Sequence, residues 1–431
     1  MTTLKAVRGT RDLLPPETAL WNRIEATARS VFARYNFGEI RTPVFEDTSL
    51  FARSVGEETD IVSKEMYTWE DRARAQSEKT QSLTLRPENT AGVVRAYIEH
   101  GLGESGQLQK LYYIGPQFRR ERPQKGRYRQ FSQIGAEVIG PTSAGSESPL
   151  RDAEVLEMLA TLLDELGITG WTLELNSVGS AADRARYNDV LRTALDLIVS
   201  GMCQDCQRRA VTNPLRVLDC KVPADQPIID TLPVFADSLD EASKAHFAAV
   251  TEALDAANVP YKRNNRLVRG LDYYTRTTFE FTHGGLGAQN ALLGGGRYDG
   301  LSEAIGGPKA PGIGFAMGED RLVLTLLAQE SPALQVLADA YVAPLGENMN
   351  AAALNLAREL RHQGLWVELG EGSFRLKKSF EAADKTARQI VILGEDELKS
   401  GILTVKNFST GTQTKVPHAE LAVFLSTPRS E

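Results

Sequence analysis

The sequence contains few cysteines and no long apolar run. Its 431 residues include only Cys203, Cys206 and Cys220, and a small, odd number of cysteines suits reduced thiols better than a disulfide framework. No stretch approaches the ~20 apolar residues that would span a bilayer, and the start of the chain lacks the apolar region of a signal peptide. We therefore expect a cytoplasmic protein rather than a secreted or membrane-spanning one.

Histidine is also scarce, which limits metal binding. The five histidines show no paired spacing. The Cys203-x-x-Cys206 pair and Cys220 could supply three zinc ligands, but no second CxxC and no nearby histidine completes a tetrahedral set. We predict no metal site here, with buried or half-exposed thiols as the more common arrangement and a zinc site as the open alternative.

The overall composition is that of a globular protein of two or three domains. Hydrophobic residues make up 42% and charged residues 24% of the chain, so neither a disordered nor a fibrous protein is indicated. The net charge of −7 argues against a general nucleic-acid coat protein. Local basic patches could still bind RNA.

A basic segment between two apolar flanks is the most distinctive feature. Residues 119–130 contain five arginines and one lysine against a single glutamate. Residues 112–114 and 133–138 have the pattern of half-buried strands, so we predict a β-hairpin whose loop presents its cations to a polyanion. A solvated charged loop is the alternative. Gln133 and Glu137 fall on one face of the second strand, where burial would require a polar ligand or partner.

Two further segments allow both a functional and a structural interpretation. Glu88 and Thr90 stand at a predicted strand-to-helix junction, where they either bind a ligand or satisfy amides of the first helical turn. The three consecutive glycines from Gly294 to Gly296 either let the backbone approach a ligand closely or form a hairpin turn.

Taken together, these segments resemble the class II aminoacyl-tRNA synthetases, and within them the histidyl-tRNA synthetase family. A predicted helix over 17–35 and a short strand over 39–43 resemble motif 1, the dimer-forming element. Residues 118–121 (FRRE) and 129–131 (RQF) resemble motif 2, and residues 311–322 resemble motif 3. The histidyl signatures are resembled by residues 269–274 (RGLDYY) and 294–301.

The resemblance implies a role for each residue that matches a motif. Glu88 and Thr90 would bind the amino group of the substrate histidine. Tyr273 and Tyr274 would surround its imidazole. The other residues that would bind the histidine are Gln133, Glu137 and Arg269. ATP would be bound by Arg119 and Arg321, with Arg119 and Arg269 as the catalytic residues. Loop residues Arg122, Gln124 and Arg127 would contact the tRNA acceptor end. Asn89 stands where the family usually has glycine, so the loop geometry could differ.

The resemblance also implies the fold class and the order of domains. We expect an α/β (α+β) protein: a class II antiparallel sheet flanked by helices, a helical insertion and a C-terminal α/β anticodon-binding domain. The catalytic core would span residues 1–180 and 259–330, the insertion 181–258, and the anticodon-binding domain 336–431. The second helix of that last domain is basic, which suits an RNA backbone or a solvated face; its cations are Arg375, Lys377, Lys378 and Lys385.

The implied activity is that of a histidine–tRNA ligase. ATP and L-histidine would give histidyl-adenylate, with Mg²⁺ accompanying the ATP, and the histidyl group would then pass to the 3′ end of tRNA(His). The other partner would be a second copy of the chain, with no membrane involved. The alternative is a non-catalytic, histidine-sensing regulatory paralogue. That class resembles the catalytic body only, so residues 336–431 and the three motif arginines favour the ligase.

Overall fold

The computed structural model describes residues 3–56, 59, 61–71, 80–122, 126–268, 273–286, 290–329 and 337–426. The chain divides into two compact units, Met1–Ala333 and Leu334–Glu431. Within the described ranges no helix combines the length and the apolar character needed to cross a membrane.

The first unit contains eleven strands and ten α-helices among the described residues. Its strands are β1 Gly38–Glu39, β2 Phe45–Asp47, β3 Tyr67–Asp71, β4 Gln81–Leu85, β5 Gln109–Phe118, β6 Gln130–Ile139, β7 Trp171–Ser177, β8 Tyr261–Arg263, β9 Thr275–His283, β10 Ala291–Arg297 and β11 Gly312–Gly318. Its helices are α1 Glu17–Arg34, α2 Thr48–Val55, α3 Thr90–Glu99, α4 Pro149–Glu165, α5 Ala181–Asp196, α6 Gln204–Thr212, α7 Gln226–Ile229, α8 Glu241–Ala256, α9 Leu301–Ala304 and α10 Glu319–Ala328.

An eight-stranded sheet organises this unit. The strand order is β1-β5-β6-β11-β10-β9-β7-β8, and all pairs are antiparallel except β1 with β5 and β7 with β8. The predicted hairpin is confirmed as β5 and β6, which pair from Phe118 with Gln130 to Gln109 with Ile139. A smaller sheet has the order β2-β4-β3. The expected fold class, an antiparallel sheet flanked by helices, is confirmed.

The helices pack on the sheet through apolar stripes that the sequence repeats every three or four residues. In α1 the buried residues are Trp21, Ile24, Ala28, Val31 and Phe32. They share one hydrophobic cluster with residues of α4, α8, α10 and the sheet. The buried residues Val250 and Leu254 place α8 in this cluster, whereas α5, α6 and α7 contribute to a separate one. The last helix of the predicted insertion thus packs with the sheet.

One local prediction, and one of two interpretations left open, differ from the structure. The strand predicted over 39–43 ends at Glu39, because the carbonyls of Thr42 and Pro43 accept hydrogen bonds from the Arg86 guanidinium (3.0 and 3.3 Å) instead of a neighbouring strand. The glycines at 294–296 lie inside β10 and not in a turn. A Cβ at Gly295 would lie 2.1 Å from the Gly314 carbonyl oxygen of β11, so close packing of the two strands requires the glycine.

The second unit is a small α/β unit, as its pattern predicts. Its elements are β12 Ala340–Pro344, α11 Asn350–His362, β13 Val367–Leu369, α12 Leu376–Thr386, β14 Gln389–Leu393, α13 Glu395–Ser400, β15 Ile402–Asn407, β16 Gln413–Pro417 and α14 Leu421–Leu425. The sheet order is β13-β12-β14-β15-β16. The first three of these strands are parallel, and the predicted hairpin, β15 with β16, is antiparallel.

Candidate active site

Two buried carboxylates, Glu88 and Glu137, lie on either side of Thr90. Glu88 accepts hydrogen bonds from the backbone N–H groups of Thr90 (2.7 Å) and Ala91 (3.0 Å), so it caps the start of α3. The Thr90 hydroxyl donates to Glu137 Oε1 on β6 over 2.6 Å. Burial raises the pKa of Glu88, against the opposing effect of these amides and of the Arg119 charge. The start of α3 and strand β6 thus bring two buried acids to one place.

The neighbouring Asn89 does not disturb this junction. Its φ of −120° is accessible to any L-residue. Its Oδ1 accepts a hydrogen bond from the Thr42 hydroxyl (2.5 Å) and one from Arg86 (3.3 Å). The turn therefore keeps its geometry without a glycine at this position.

Glu137 is completely buried, and burial raises its pKa to about 8, with Thr90 and Tyr298 acting in the lowering direction. A Cβ at Gly314 of β11 would lie 1.7 Å from Glu137 Oε2, so only a glycine leaves space for this carboxylate. At neutral pH the carboxyl group is mostly protonated. A cationic or hydrogen-bonding ligand would favour its ionised form.

Several polar atoms around these acids lack a hydrogen bond of good geometry among the described residues. They are Gln133 Oε1, Glu137 Oε2 and the hydroxyls of Tyr113 and Tyr298. Buried polar groups in proteins are normally paired, and a cluster of exceptions requires an explanation such as a ligand. The four atoms therefore mark a place built to receive polar groups.

A cavity of about 150 Å³ lies at this place. Glu137 lies directly behind its wall, in contact with Thr90. The rings of Tyr273 and Tyr274 lie 4.7 Å apart, centroid to centroid, in that wall. The lining residues are Glu88, Thr90, Arg119, Gln133, Tyr273, Tyr274, Gly294, Tyr298, Gly314, Phe315 and Ala316. The first cavity thus combines aromatic walls with acidic and amide groups.

A second cavity of about 270 Å³ adjoins the first and shares the lining residues Arg119, Gln133, Gly294 and Ala316 with it. Arg119 stands at the boundary. Its Nε donates to the Pro87 carbonyl over 2.9 Å, and its guanidinium lies 5.3 Å from the centroid of the Phe131 ring. These two contacts hold the guanidinium in a fixed position between the two spaces.

The second cavity carries further arginines and carboxylates. Arg321, on α10, donates to the Ala291 carbonyl over 2.5 Å. Arg127, from the hairpin loop, forms an ion pair with Glu121 at 3.1 Å. Glu280 of β9 is a second carboxylate of this wall. Arginines suit phosphate oxygens, and carboxylate oxygens suit a hard cation such as Mg²⁺.

The structure therefore brings most of the residues predicted from sequence to two adjoining cavities. Tyr273, Tyr274, Glu88, Thr90 and Gln133 line the first cavity, Arg321 and Arg127 line the second, and Arg119 lines both. Arg122 is exposed on the hairpin loop. Arg269 and Gln124 lie outside the described residues.

Sequence reasoning missed Tyr298 and the ion pairs that support it. The preceding residue, Arg297, is fully buried and pairs with Asp152 of α4 (2.5 Å) and with Asp299 (3.1 Å). His246 of α8 contacts the other Asp152 oxygen at 2.9 Å. Burial raises the pKa of Asp152 to about 6 and lowers that of His246 to about 4. No local pattern predicts these partners, because they lie far apart in the sequence.

Comparisons with known proteins show the family to which this chain belongs. The family model described as "Histidyl-tRNA synthetase" matches residues 9–322, and the model described as "Anticodon binding domain" matches residues 339–427. The chain belongs to the histidyl-tRNA synthetase family. Two similar curated proteins are both named "Histidine--tRNA ligase". The one from Koribacter versatilis is 72% identical over 98% of this chain and 96% of its own length. The one from Solibacter usitatus is 56% identical over 98% of this chain and 99% of its own length.

A solved structure of the histidyl-tRNA synthetase family has the same fold along the whole chain. The apo histidyl-tRNA synthetase of S. aureus superimposes with a TM-score of 0.79 at 36% identity. The superposition covers 99% of this chain and 100% of that one. The resemblance stated from the motifs therefore extends over both units.

Proposed function

We propose that this chain is a histidine–tRNA ligase that binds histidine in the first cavity and ATP in the second. The observation that carries the proposal is the aromatic-walled cavity itself: its lining residue Gln133 has an Oε1 without a hydrogen-bond partner among the described residues, and the buried Glu137 lies directly behind its wall. An imidazole has a flat ring and two nitrogens that need hydrogen-bond partners. The similarity to histidine–tRNA ligases over nearly the full chain supports the same substrate.

In this proposal the first cavity orients histidine by its two ends. Glu88 and Thr90 accept the α-ammonium group, while Glu137 and Tyr273 recognise the ring nitrogens and Tyr274 packs against the ring. The cavity then distinguishes histidine from other amino acids by hydrogen bonds to its polar groups. An apolar amino acid would leave Gln133 Oε1 buried without a partner and would add no partner to Glu137, which costs more than a poor fit of shape.

The second cavity would bind ATP with its α-phosphorus next to Arg119. The histidine carboxylate attacks the α-phosphorus, a new oxygen–phosphorus bond forms, and pyrophosphate leaves. The transition state gains negative charge at the α-phosphate, and Arg119 and Arg269 stabilise it without a proton transfer from the protein. Arg321 binds the γ-phosphate end. Glu121 and Glu280 of this wall would provide oxygen ligands for the Mg²⁺ that accompanies ATP, and the ion would neutralise part of the phosphate charge.

The tRNA and a second copy of the chain complete the proposal. Arg122, Gln124 and Arg127 of the hairpin loop contact the acceptor end, the insertion over 181–258 grips the acceptor arm, and the domain over 336–431 reads the anticodon. For the dimer, the support is an exposed aromatic pair on the small sheet. Phe45 (52% exposed) and Trp69 (39% exposed) lie 5.9 Å apart on its two edge strands. Sedimentation of the purified chain distinguishes a dimer from a monomer.

The proposal is tested by histidine-dependent exchange of pyrophosphate into ATP in two matched variants. Arg119→Ala removes the guanidinium between the cavities, and we expect about 10²–10³-fold slower exchange, the usual loss when one transition-state donor is removed. Arg120→Ala removes an equal charge from the adjacent residue, which is exposed, and should change exchange by less than about threefold. Equal rates in the two variants would remove Arg119 from the mechanism.

The regulatory alternative is separated by a second measurement. A histidine-sensing paralogue would bind histidine but show neither exchange nor charging of tRNA. The relatives named as ligases and the match to an anticodon-binding domain weigh against it.

A further inference from the structure

Three cysteines and one aspartate of the predicted insertion converge on one point. Cys203 caps α6, and Cys206 lies in its first turn. Cys220 and Asp225 come from the irregular segment before α7. The three sulfur atoms and one carboxylate oxygen all lie within 4.8 Å of one another. All three cysteines are free, Cys203 is half-buried, and the other three residues are buried.

The distances within this cluster fit a tetrahedral metal site. Cys203 Sγ lies 3.9 Å from Cys220 Sγ, and Cys220 Sγ lies 3.3 Å from Asp225 Oδ2. A tetrahedral zinc ion with Zn–S of about 2.3 Å and Zn–O of about 2.0 Å places two sulfurs about 3.8 Å apart, and a sulfur and an oxygen about 3.5 Å apart. A disulfide needs about 2.05 Å between sulfurs. These two distances match those of a tetrahedral zinc site and are too long for a disulfide.

Backbone amides already surround the four groups. The Cys206 N–H donates to Cys203 Sγ, and the Val222 N–H donates to Cys220 Sγ, each over 3.4 Å. The Cys203 N–H donates to both oxygens of Asp225 at 3.2 Å. Hydrogen bonds of this kind orient metal ligands and spread the negative charge of thiolates. They provide the outer layer of contacts that a thiolate site needs.

We propose that Cys203, Cys206, Cys220 and Asp225 bind one zinc ion that stabilises the inserted helices. Three thiolates favour zinc over Mg²⁺ or Ca²⁺, and four protein ligands leave no open position for a substrate, so the ion is structural. The prediction of no metal site depended on a missing fourth ligand, which Asp225 supplies. The ion would hold α6 and α7 together where short helices provide little regular backbone pairing.

The test uses the untagged full-length chain, purified under reducing conditions and dialysed against metal-free buffer, with metal content measured by mass spectrometry. We expect about one zinc per chain in the wild type and in Asp219→Asn, a control that changes a nearby carboxylate outside the cluster. Cys206→Ser should lose the metal. Asp225→Asn should release it to a chelator at least about 10-fold more readily, because losing a direct ligand costs no less than losing one of the outer hydrogen bonds. Zinc that persists equally in all variants would overturn the proposal.

Two measurements on the wild type keep the proposal testable if a variant does not fold. Cobalt(II) added to the metal-free chain should give the sulfur-to-cobalt charge-transfer bands and intense visible bands of a tetrahedral thiolate site. Zinc should protect all three thiols from Ellman's reagent. A zinc site would be contradicted if the three thiols reacted equally with and without zinc. It would also be contradicted by a disulfide, which leaves one thiol and lowers the mass by about 2 Da.

Discussion

Glu137 is the residue whose environment constrains the chemistry most. Without ligand its pKa is raised to about 8 by burial, while a free imidazole has a pKa near 6.5. Between these values the carboxyl group carries a proton and the imidazole does not. If the two meet in the complex they share one proton, so binding involves no net proton exchange in this range. The proposed pair therefore suits binding near neutral pH.

The pH dependence of histidine binding tests this pairing. Above about pH 8 the free carboxylate has lost its proton and binding must take one up, so affinity should fall about tenfold per pH unit. Below about pH 6.5 the imidazole is already charged, so binding must release a proton and affinity falls again. Calorimetry in buffers of different ionisation enthalpy measures these protons.

Glu137→Gln is the control for that experiment, because it keeps an acceptor for the Thr90 hydroxyl and removes the titrating group. The fall in histidine affinity above about pH 8, the alkaline limb of the profile, should disappear in this variant. The titration of the amino group of histidine affects both proteins equally. An unchanged alkaline limb would show that another group titrates.

The carboxyl group of Glu137 also makes the stability of the folded chain depend on pH. The folded chain keeps the Glu137 proton up to about pH 8, whereas an unperturbed glutamate releases it near pH 4.5. The folded state therefore binds more protons between these values, and the free energy of unfolding falls as pH rises through this window. Urea unfolding of the ligand-free chain at several pH values should show a smaller fall in Glu137→Gln than in the wild type. A larger fall in the variant would contradict the raised pKa.

Gly314 should be intolerant of even one methyl group. An added Cβ would lie 1.7 Å from Glu137 Oε2 and 2.8 Å from the Ala136 carbonyl oxygen. We expect Gly314→Ala to lower the free energy of unfolding by about 1–3 kcal/mol and to weaken histidine binding. The control is Gly300→Ala, because an added Cβ there has no heavy atom within 4 Å. Thermal unfolding of the two variants measures the difference, and similar stabilities would refute the steric argument.

At the scale of elements, one side chain at the start of α3 has two functions. Glu88 caps the helix through two amides and also lines the first cavity. Glu88→Ala should cost about 1–2 kcal/mol of stability, as loss of a cap does. Glu88→Gln retains an acceptor oxygen and should cost less, yet both should weaken histidine binding because the charge is lost. Chemical unfolding and equilibrium binding separate the two effects. Wild-type affinity in Glu88→Gln would leave Glu88 with the capping function alone.

The elements themselves were largely predictable, for identifiable reasons. The β5–β6 hairpin follows from alternation and apolar runs on either side of a charged loop, and α1 follows from its three- and four-residue stripe. The failures arose from long-range contacts. Arg86 takes the carbonyls that would have extended the strand after Glu39. The glycines of β10 are required by close approach of β11, which no local pattern shows.

At the scale of the whole molecule, the proposal assigns the activation of histidine to the first unit and the reading of the anticodon to the second. The basic helix α12 carries Lys377 and Lys385, both exposed. We expect Lys385→Glu to raise the tRNA concentration needed for charging and to reduce its salt dependence, because a phosphate contact is lost. Exchange of pyrophosphate with histidine should not change. Lys399→Glu, an equal change on α13 of the same unit, is the control. Equal effects of the two substitutions would assign α12 no special role.

The domain order and the candidate site were predictable at this scale because short motifs fix residue types, even though they fix no distances. The motifs containing Glu88, Arg119 and Arg321 predicted that these residues lie near one another, and the structure has them in the walls of two adjoining cavities, while their roles stay predictions. Tyr298 stands in the resembled segment 294–301, but its support by Arg297, Asp152 and His246 could not be predicted, because the chain brings α4, α8 and β10 together only in three dimensions.

The most direct test of the account is exchange of pyrophosphate into ATP with each of the twenty amino acids in turn, followed by charging of total tRNA. The account predicts exchange with histidine alone and charging of a single histidine-accepting tRNA species. Exchange with a different amino acid would contradict the assignment of the first cavity. Histidine binding without exchange or charging would contradict the ligase itself.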